Sequence, residues 1–209
     1  MTQATANCPN CGAKITFRWS GSVQTVCEYC KSVLIRTDVD LQKVGQVADL
    51  PTDSSPIQIG TEGVYEKRAF VATGRIVYEY DQGSWNEWHL VMNDGTSGWL
   101  SDAQLDYAVT FAAQGQQLPR ECRVGQEYTW NSLTYTVSTI TKAHYRGVEG
   151  ELPFQYWDKA DVVFVDLMSH SEKFATIDYS EDPPLLFLGE SVDFDDLKLK
   201  NLRSFEGWS

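Results

Sequence analysis

From residue 57 onward, apolar and polar positions alternate in short runs, and the apolar positions are rich in β-branched and aromatic side chains. The pattern predicts strands at 69–80, 88–93, 107–112, 133–141, 162–167, 175–179 and 185–188. Turn residues separate them: Asp81-Gln82-Gly83, Asn93-Asp94-Gly95, Gly147, Gly150 and Asp182-Pro183-Pro184. Only 102–105 and 194–202 read as short helical turns. Many short strands with regular punctuation predict a mainly β body, built as small barrels or a sandwich.

The pattern also recurs. Ile59-Gly60 is followed ten residues later by Phe70, and Val124-Gly125 ten residues later by Tyr135, each inside an alternating run. The first run reaches Trp85-Asn86-Glu87-Trp88 and the second Gly150-Glu151-Leu152-Pro153, with a slip of one residue between them. The expectation is a duplication in which each half is a small SH3-like barrel. It divides the chain into 1–36, a linker at 37–56, and two β halves at 57–118 and 119–209. The linker carries Asp38, Asp40, Asp49 and Asp53, with one or two helical turns expected around 41–47.

Residues 1–36 follow a different logic. Cys8-Pro9-Asn10-Cys11 and Cys27-Glu28-Tyr29-Cys30 are two CxxC knuckles, flanked by short strand-like runs at 14–19 and 32–36. One tight turn presents two sulfurs to one ion, and the spacing of the pairs fits a zinc ribbon with ligands Cys8, Cys11, Cys27 and Cys30. Four thiolates leave no open position for a substrate, so the expected Zn2+ is structural. Cys122 has no partner of this kind and is expected to be an inert thiol.

Composition narrows the function classes. A hydrophobic share of 42% and a charged share of 22% are those of a globular chain rather than a disordered one. No apolar run approaches the roughly 20 residues needed to span a bilayer. The first residues, Met1 to Asn7, have neither a basic nor an apolar stretch of a secretion signal. Paired CxxC motifs without such a signal point to a reducing cytoplasm. Lys14, Arg18, Lys31 and Arg36 against Glu28 make the first 36 residues +3, so the net charge of −12 leaves −15 on the remainder. An acidic body of this size repels phosphates, which argues against nucleic acid as a partner of the ribbon.

Several short motifs lie together in the body: Ser55-Pro-Ile-Gln-Ile-Gly60-Thr-Glu-Gly63, Phe70 to Ile76, Trp85-Asn-Glu-Trp88, Gly98-Trp99-Leu100, Gly150-Glu-Leu-Pro-Phe154 and Phe174-Ala-Thr-Ile-Asp-Tyr179. Over roughly 55–190 this set resembles bacterial proteins of the domain of unknown function 4178 family, in which a leading zinc ribbon is a common companion. The resemblance implies no activity. It implies accessory proteins, often encoded near polyamine-synthesis enzymes and small membrane proteins. One departure stands at Lys31, where the family commonly has glycine.

The candidate ligand-binding residues are Asn86, Glu87, Trp88, Trp99 and Glu151. Carboxylates beside aromatic rings suit ammonium groups, with each cation–π contact worth about 0.5–2 kcal/mol. The same residues also read as barrel packing and loop fixation. Nothing resembles a nucleophile elbow, and His89, His144 and His170 lack ligand spacing. The expected function is a non-enzymatic accessory protein that binds a partner protein or a small cationic ligand such as spermidine. The alternative is an enzyme using Glu87 and Glu151 as an acid–base pair in polyamine-related metabolism.

Overall fold

The computed structural model describes residues 4–37, 40–47, 50, 55–155 and 160–204. Five strands form the amino-terminal part: β1 (Thr5–Asn7), β2 (Lys14–Thr16), β3 (Gln24–Val26), β4 (Ser32–Arg36) and β5 (Leu41–Gln46). The first half of the body holds β6 (Glu62–Tyr65), β7 (Arg68–Tyr80), β8 (Gly83–Met92), β9 (Ser97–Ala103) and β10 (Asp106–Ala113). The second half holds β11 (Glu127–Trp130), β12 (Leu133–Leu152), β13 (Asp161–Met168), β14 (Lys173–Asp178) and β15 (Leu185–Ser191). One 3-10 turn, Phe194–Leu197, is the sole helical element among the described residues. The mainly β expectation holds.

The duplication is visible in the hydrogen bonds. Each half is an antiparallel five-strand meander that opens with a short hairpin. The pairs Tyr65↔Arg68 and Gly63↔Phe70 of β6–β7 repeat as Trp130↔Leu133 and Tyr128↔Tyr135 of β11–β12. Gly60 donates to the Ala72 carbonyl at 2.8 Å, and Gly125 to the Val137 carbonyl at 2.9 Å. Both glycines adopt positive φ, 89° and 84°, which a side chain would oppose. The long strands bulge at equivalent points, Thr73 and Ser138. Each bulge hydroxyl then reaches one main-chain carbonyl of the next strand, His89 at 3.5 Å and Asp166 at 3.0 Å.

The same strands serve two surfaces, because successive side chains point to opposite faces. One face of each meander closes on its own core. Tyr65, Phe70, Ala72, Trp88, Leu90, Leu100 and Val109 fill the first core. Trp130, Tyr135, Val137, Val165, Leu167, Ile177 and Leu186 fill the second, position for position. The meanders then pair with each other through β7–β12 and β10–β15. These pairings close a ring of eight strands, β7-β8-β9-β10-β15-β14-β13-β12, so each half shares the ring instead of closing its sheet alone. The opposite faces enclose a shared cleft.

β12 is 20 residues long against 13 for β7, and its extra length carries the ribbon. Thr25 and Gln24 of β3 pair with Glu151 and Leu152, and β4 and β5 continue the sheet outward. Val26 and Val33 of the ribbon join Ile76, Tyr145, Val148, Leu152 and Phe164 in one apolar cluster.

Two helical expectations fail. Residues 41–46 form a strand, because Leu41 packs into the ribbon core while its neighbours pair with β4. Residues 102–105 are the end of β9 and a tight turn, with Gln104 and Leu105 at positive φ. The 194–202 expectation shrinks to the 3-10 turn. Asp38, Asp49 and Asp53 of the expected linker lie outside the described residues.

Candidate functional site

The two knuckles are copies of one turn. Gly12 donates to the Cys8 carbonyl at 2.8 Å, and Lys31 to the Cys27 carbonyl at 2.9 Å. Lys31 adopts the left-handed conformation (φ 55°), as Gly12 does (φ 75°), so the second knuckle tolerates a side chain where a glycine is easier. The turns bring Cys8 and Cys30 Sγ to 3.7 Å, and Cys11 and Cys27 Sγ to 3.7 Å. All four sulfurs lie within 4.8 Å of one another. A tetrahedral ion with sulfur ligands at ~2.3 Å needs sulfur–sulfur edges of about 3.8 Å, so the four residues fit a metal site. Ser32 Oγ lies 3.2 Å from Cys30 Sγ, placed to donate to a thiolate.

The body's candidate site is the shared cleft. Its walls come from Ile76 and Tyr78 of β7, Glu87 of β8, Trp99 and Ser101 of β9, Phe164 of β13, Thr176 and Asp178 of β14 and Phe187 of β15. The space is about 700 Å³, part of it open to solvent. Tyr78 stacks on Trp85 at 5.1 Å and meets Phe164 edge-on at 4.8 Å. Asp166 lines an adjoining space that shares Glu87, Ser101, Phe164 and Thr176 with the first.

Glu87 lines both spaces. Ser101 Oγ donates to both its carboxyl oxygens (2.9 and 3.0 Å), and Trp85 Nε1 to one of them (3.0 Å). Burial nevertheless pushes its pKa from 4.5 to about 8, because these donors do not replace lost water, and the carboxylates of Asp166 and Asp178 add to the rise. Burial also raises Asp166 and Asp178 above the usual carboxylate range. Thr176 Oγ1 donates to Asp166 at 2.5 Å, and the Ser180 N–H to Asp178 at 2.8 Å.

A folded-state pKa above the unfolded one means that the folded chain holds the Glu87 proton more tightly. Its contribution is therefore present below pH 4.5 and is lost as pH rises toward 8. Thermal melts of the native chain and of Glu87→Gln across that window should diverge, the variant gaining on the native protein as pH rises. Parallel curves would refute the half-buried, proton-holding carboxyl.

The sequence-derived site residues separate. Glu87 and Trp99 line the cleft. Asn86 and Trp88 point the other way, where the Asn86 side-chain Oδ1 accepts from Arg75 at 2.7 and 2.9 Å and the Arg75 guanidinium lies 5.0 Å over Trp88. Glu151, nearly buried, accepts the backbone N–H groups of Arg18 at 2.7 Å and Trp19 at 3.2 Å, tying the ribbon to the body. It does not line the cleft that holds Glu87.

Nor are the two glutamates repeat equivalents. Ile76 pairs with Glu87, and the matching pair in the second copy is Thr141 with Phe164. The equivalent of Glu87 is thus Phe164, and Glu151 falls in the extension of β12, with no counterpart. By the same register, Ser101 corresponds to Asp178, His89 to Asp166, and Trp99 to Thr176. Core positions stay apolar in both copies, whereas cleft positions exchange acid, aromatic and hydroxyl groups. Asp166, Asp178, Ser101, Thr176 and Phe164 were missed by sequence reasoning. Their signal was a polar residue on the face opposite the apolar ones in β13 and β14.

His89 is fully buried, with Nδ1 2.9 Å from the Thr73 hydroxyl. His144 is exposed, 3.4 Å from Glu79, and His170 is exposed. Cys122 Sγ lies 3.4 Å from the Tyr179 hydroxyl, which itself donates to the Pro119 carbonyl at 2.9 Å. No helix among the described residues is long and apolar enough to cross a membrane.

The family model for a domain of unknown function, number 4178, matches residues 58–194, the span from the first repeat glycine's turn to the end of the second meander. No curated protein and no solved structure matches the chain.

Proposed function

The chain belongs to the domain of unknown function 4178 family, and from that premise we propose that it is a non-enzymatic accessory protein whose cleft takes a small organic cation. The observation that carries this reading is Glu87, a carboxyl enclosed by Tyr78, Trp85, Trp99 and Phe164 with Asp178 in the same space and Asp166 in the adjoining one. Ring faces and carboxylates are complementary to ammonium groups. Among the described residues only the four cysteines cluster closely enough for a single metal ion. Glu87, Asp166 and Asp178 lie on three different strands, which suits an extended cation with separate charges, such as spermidine. The overall charge of −12 favours its approach.

In this reading the four cysteines hold zinc as a closed structural site, and a reducing compartment, the cytoplasm, suits them. The acid–base alternative draws no support from the geometry, since Glu87 and Glu151 face different neighbours.

Calorimetric titration with spermidine near pH 7 tests the proposal. A bound cation favours ionised carboxylates, so binding should be saturable and should release protons, giving a heat that changes with the ionisation enthalpy of the buffer. Glu87→Gln should weaken binding about tenfold, the loss of one charge-assisted contact. Absence of saturable heat, or equal affinity in the variant, would reject the cleft as a cation site.

A further inference from the structure

We propose that metal occupancy of the four-cysteine site sets the position of Trp99 in the cleft wall, acting through Trp19 and His89. The functional consequence, control of ligand affinity, rests on the cleft being the ligand site; the mechanical link does not.

Three rings connect the two sites. Trp19 lies 5.0 Å from His89, centroid to centroid, tilted by 51°. His89 lies 5.2 Å from Trp99, tilted by 55°. Trp99 meets Phe154 at 5.8 Å, and both line the cleft. Trp19 belongs to the ribbon, Trp99 to β9 of the body, and His89 is the buried piece between them.

Each ring is held so that a shift at one end passes to the next. The Trp19 ring lies across Gly21, where an added Cβ would meet it at 2.4 Å. Its backbone N–H is held by Glu151. His89 is anchored at Nδ1 by Thr73, and burial lowers its pKa to about 4, so it stays neutral near pH 7 and transmits packing rather than charge. Close-packed interiors pass displacement on instead of absorbing it.

The ribbon end depends on the metal. Phe17, two residues before Trp19, is buried in a small core with Cys8, Ile15, Cys27, Leu34 and Leu41. Cys8, Cys27 and Cys30 are part of that same core, and modules of this size lose order when four thiolates lose their ion. The loop carrying Trp19 then keeps its hold on Glu151 but loses the support of the ribbon core at Phe17. The body keeps its two cores, which contain no ribbon residue.

The test uses the full zinc-loaded chain labelled with 15N-tryptophan. Indole N–H resonances of Trp19, Trp99 and Trp130 are assigned by substituting each with phenylalanine. Chelation should shift Trp99 and leave Trp130, in the second core, where it was. In Trp19→Ala, with its cysteines and zinc content intact, the Trp99 resonance should no longer respond to chelation, and Trp19→Phe should restore the response. An unmoved Trp99 in the native chain overturns the proposal, as does an equal shift in Trp19→Ala. A simultaneous shift of Trp130 overturns it too, since the device is local. Should Trp19→Ala fail to retain zinc, His89→Gln takes its place as the interruption, with the same expected loss of response. A spermidine titration of the loaded and chelated chains follows separately. A Trp99 shift with no spermidine binding in either form rejects the ligand while leaving the link standing, and an affinity loss of about tenfold on chelation completes it.

Discussion

Serine at Cys27 should abolish stoichiometric zinc binding, disorder the ribbon, and lower the melting temperature of a body that remains folded at 25 °C. Cys27 is fully buried and faces Cys11 across 3.7 Å, so the change removes one of four ligands and puts a hydroxyl into the ribbon core. Metal binding in such modules is folding free energy, and three thiolates do not retain it. The effect reaches the body because the ribbon is not a detached bead. β3 pairs with β12, Val23 donates to the Leu152 carbonyl at 3.0 Å, and Val26 and Val33 pack against body side chains. Exposing those two valines costs about 3 kcal/mol, and a chain of this length loses roughly 2–4 °C per kcal/mol, so the body's transition should fall by about 10 °C. Elemental analysis with scanning calorimetry checks both parts. A body transition identical to that of the native chain would show that the strand pairing contributes nothing.

Alanine at Gly150 should cost far more than alanine at Gly95, although both glycines have positive φ (66° and 87°). At Gly95 an added Cβ meets nothing within 4 Å, which leaves only the left-handed backbone penalty of about 1–2 kcal/mol. At Gly150 the Cβ would lie 2.2 Å from the Thr73 carbonyl oxygen and 2.8 Å from Ile59. Across the pairing, a Cβ on Gly74 would meet the Glu151 carbonyl oxygen at 2.0 Å, so both main chains are at contact where β7 and β12 join the meanders. Overpacking adds to the backbone cost, giving about 3–5 kcal/mol in all. Urea unfolding of the two variants measures the difference. Equal destabilisation would mean that the backbones separate without penalty.

The strands were legible where alternation was strong. β7, β10, β13 and β14 sit within a residue or two of their expected limits, because a half-buried strand writes its two faces into a period of two. β5 was not, since Leu41-Gln-Lys-Val-Gly-Gln has too few apolar positions, and its pairing with β4 decides its state. The cysteine site could be read directly, because ligand chemistry constrains spacing as well as residue type. The repeat was legible from Gly60 and Gly125 but was continued to the wrong glutamate. The reason is the extension of β12, which inserts residues between equivalent strands and shifts the register that links Glu87 to Phe164. Of the cleft, only Glu87 and Trp99 were legible. Its carboxyls come from β8, β13 and β14, and only the pairing of two meanders brings Glu87, Asp166 and Asp178 into adjoining spaces.

The ring closed by β7–β12 and β10–β15 has a consequence for any attempt to dissect this chain. A single meander would present two long open edges with their N–H and C=O groups unpaired, together with half of an acidic cleft. Such a fragment finds matching edges only in another polypeptide, so its concentration, not its own sequence, decides whether it assembles or precipitates. Covalent linkage of the two copies turns that encounter into an intramolecular event at high effective concentration. The tandem arrangement thereby keeps the edges satisfied in a solitary molecule.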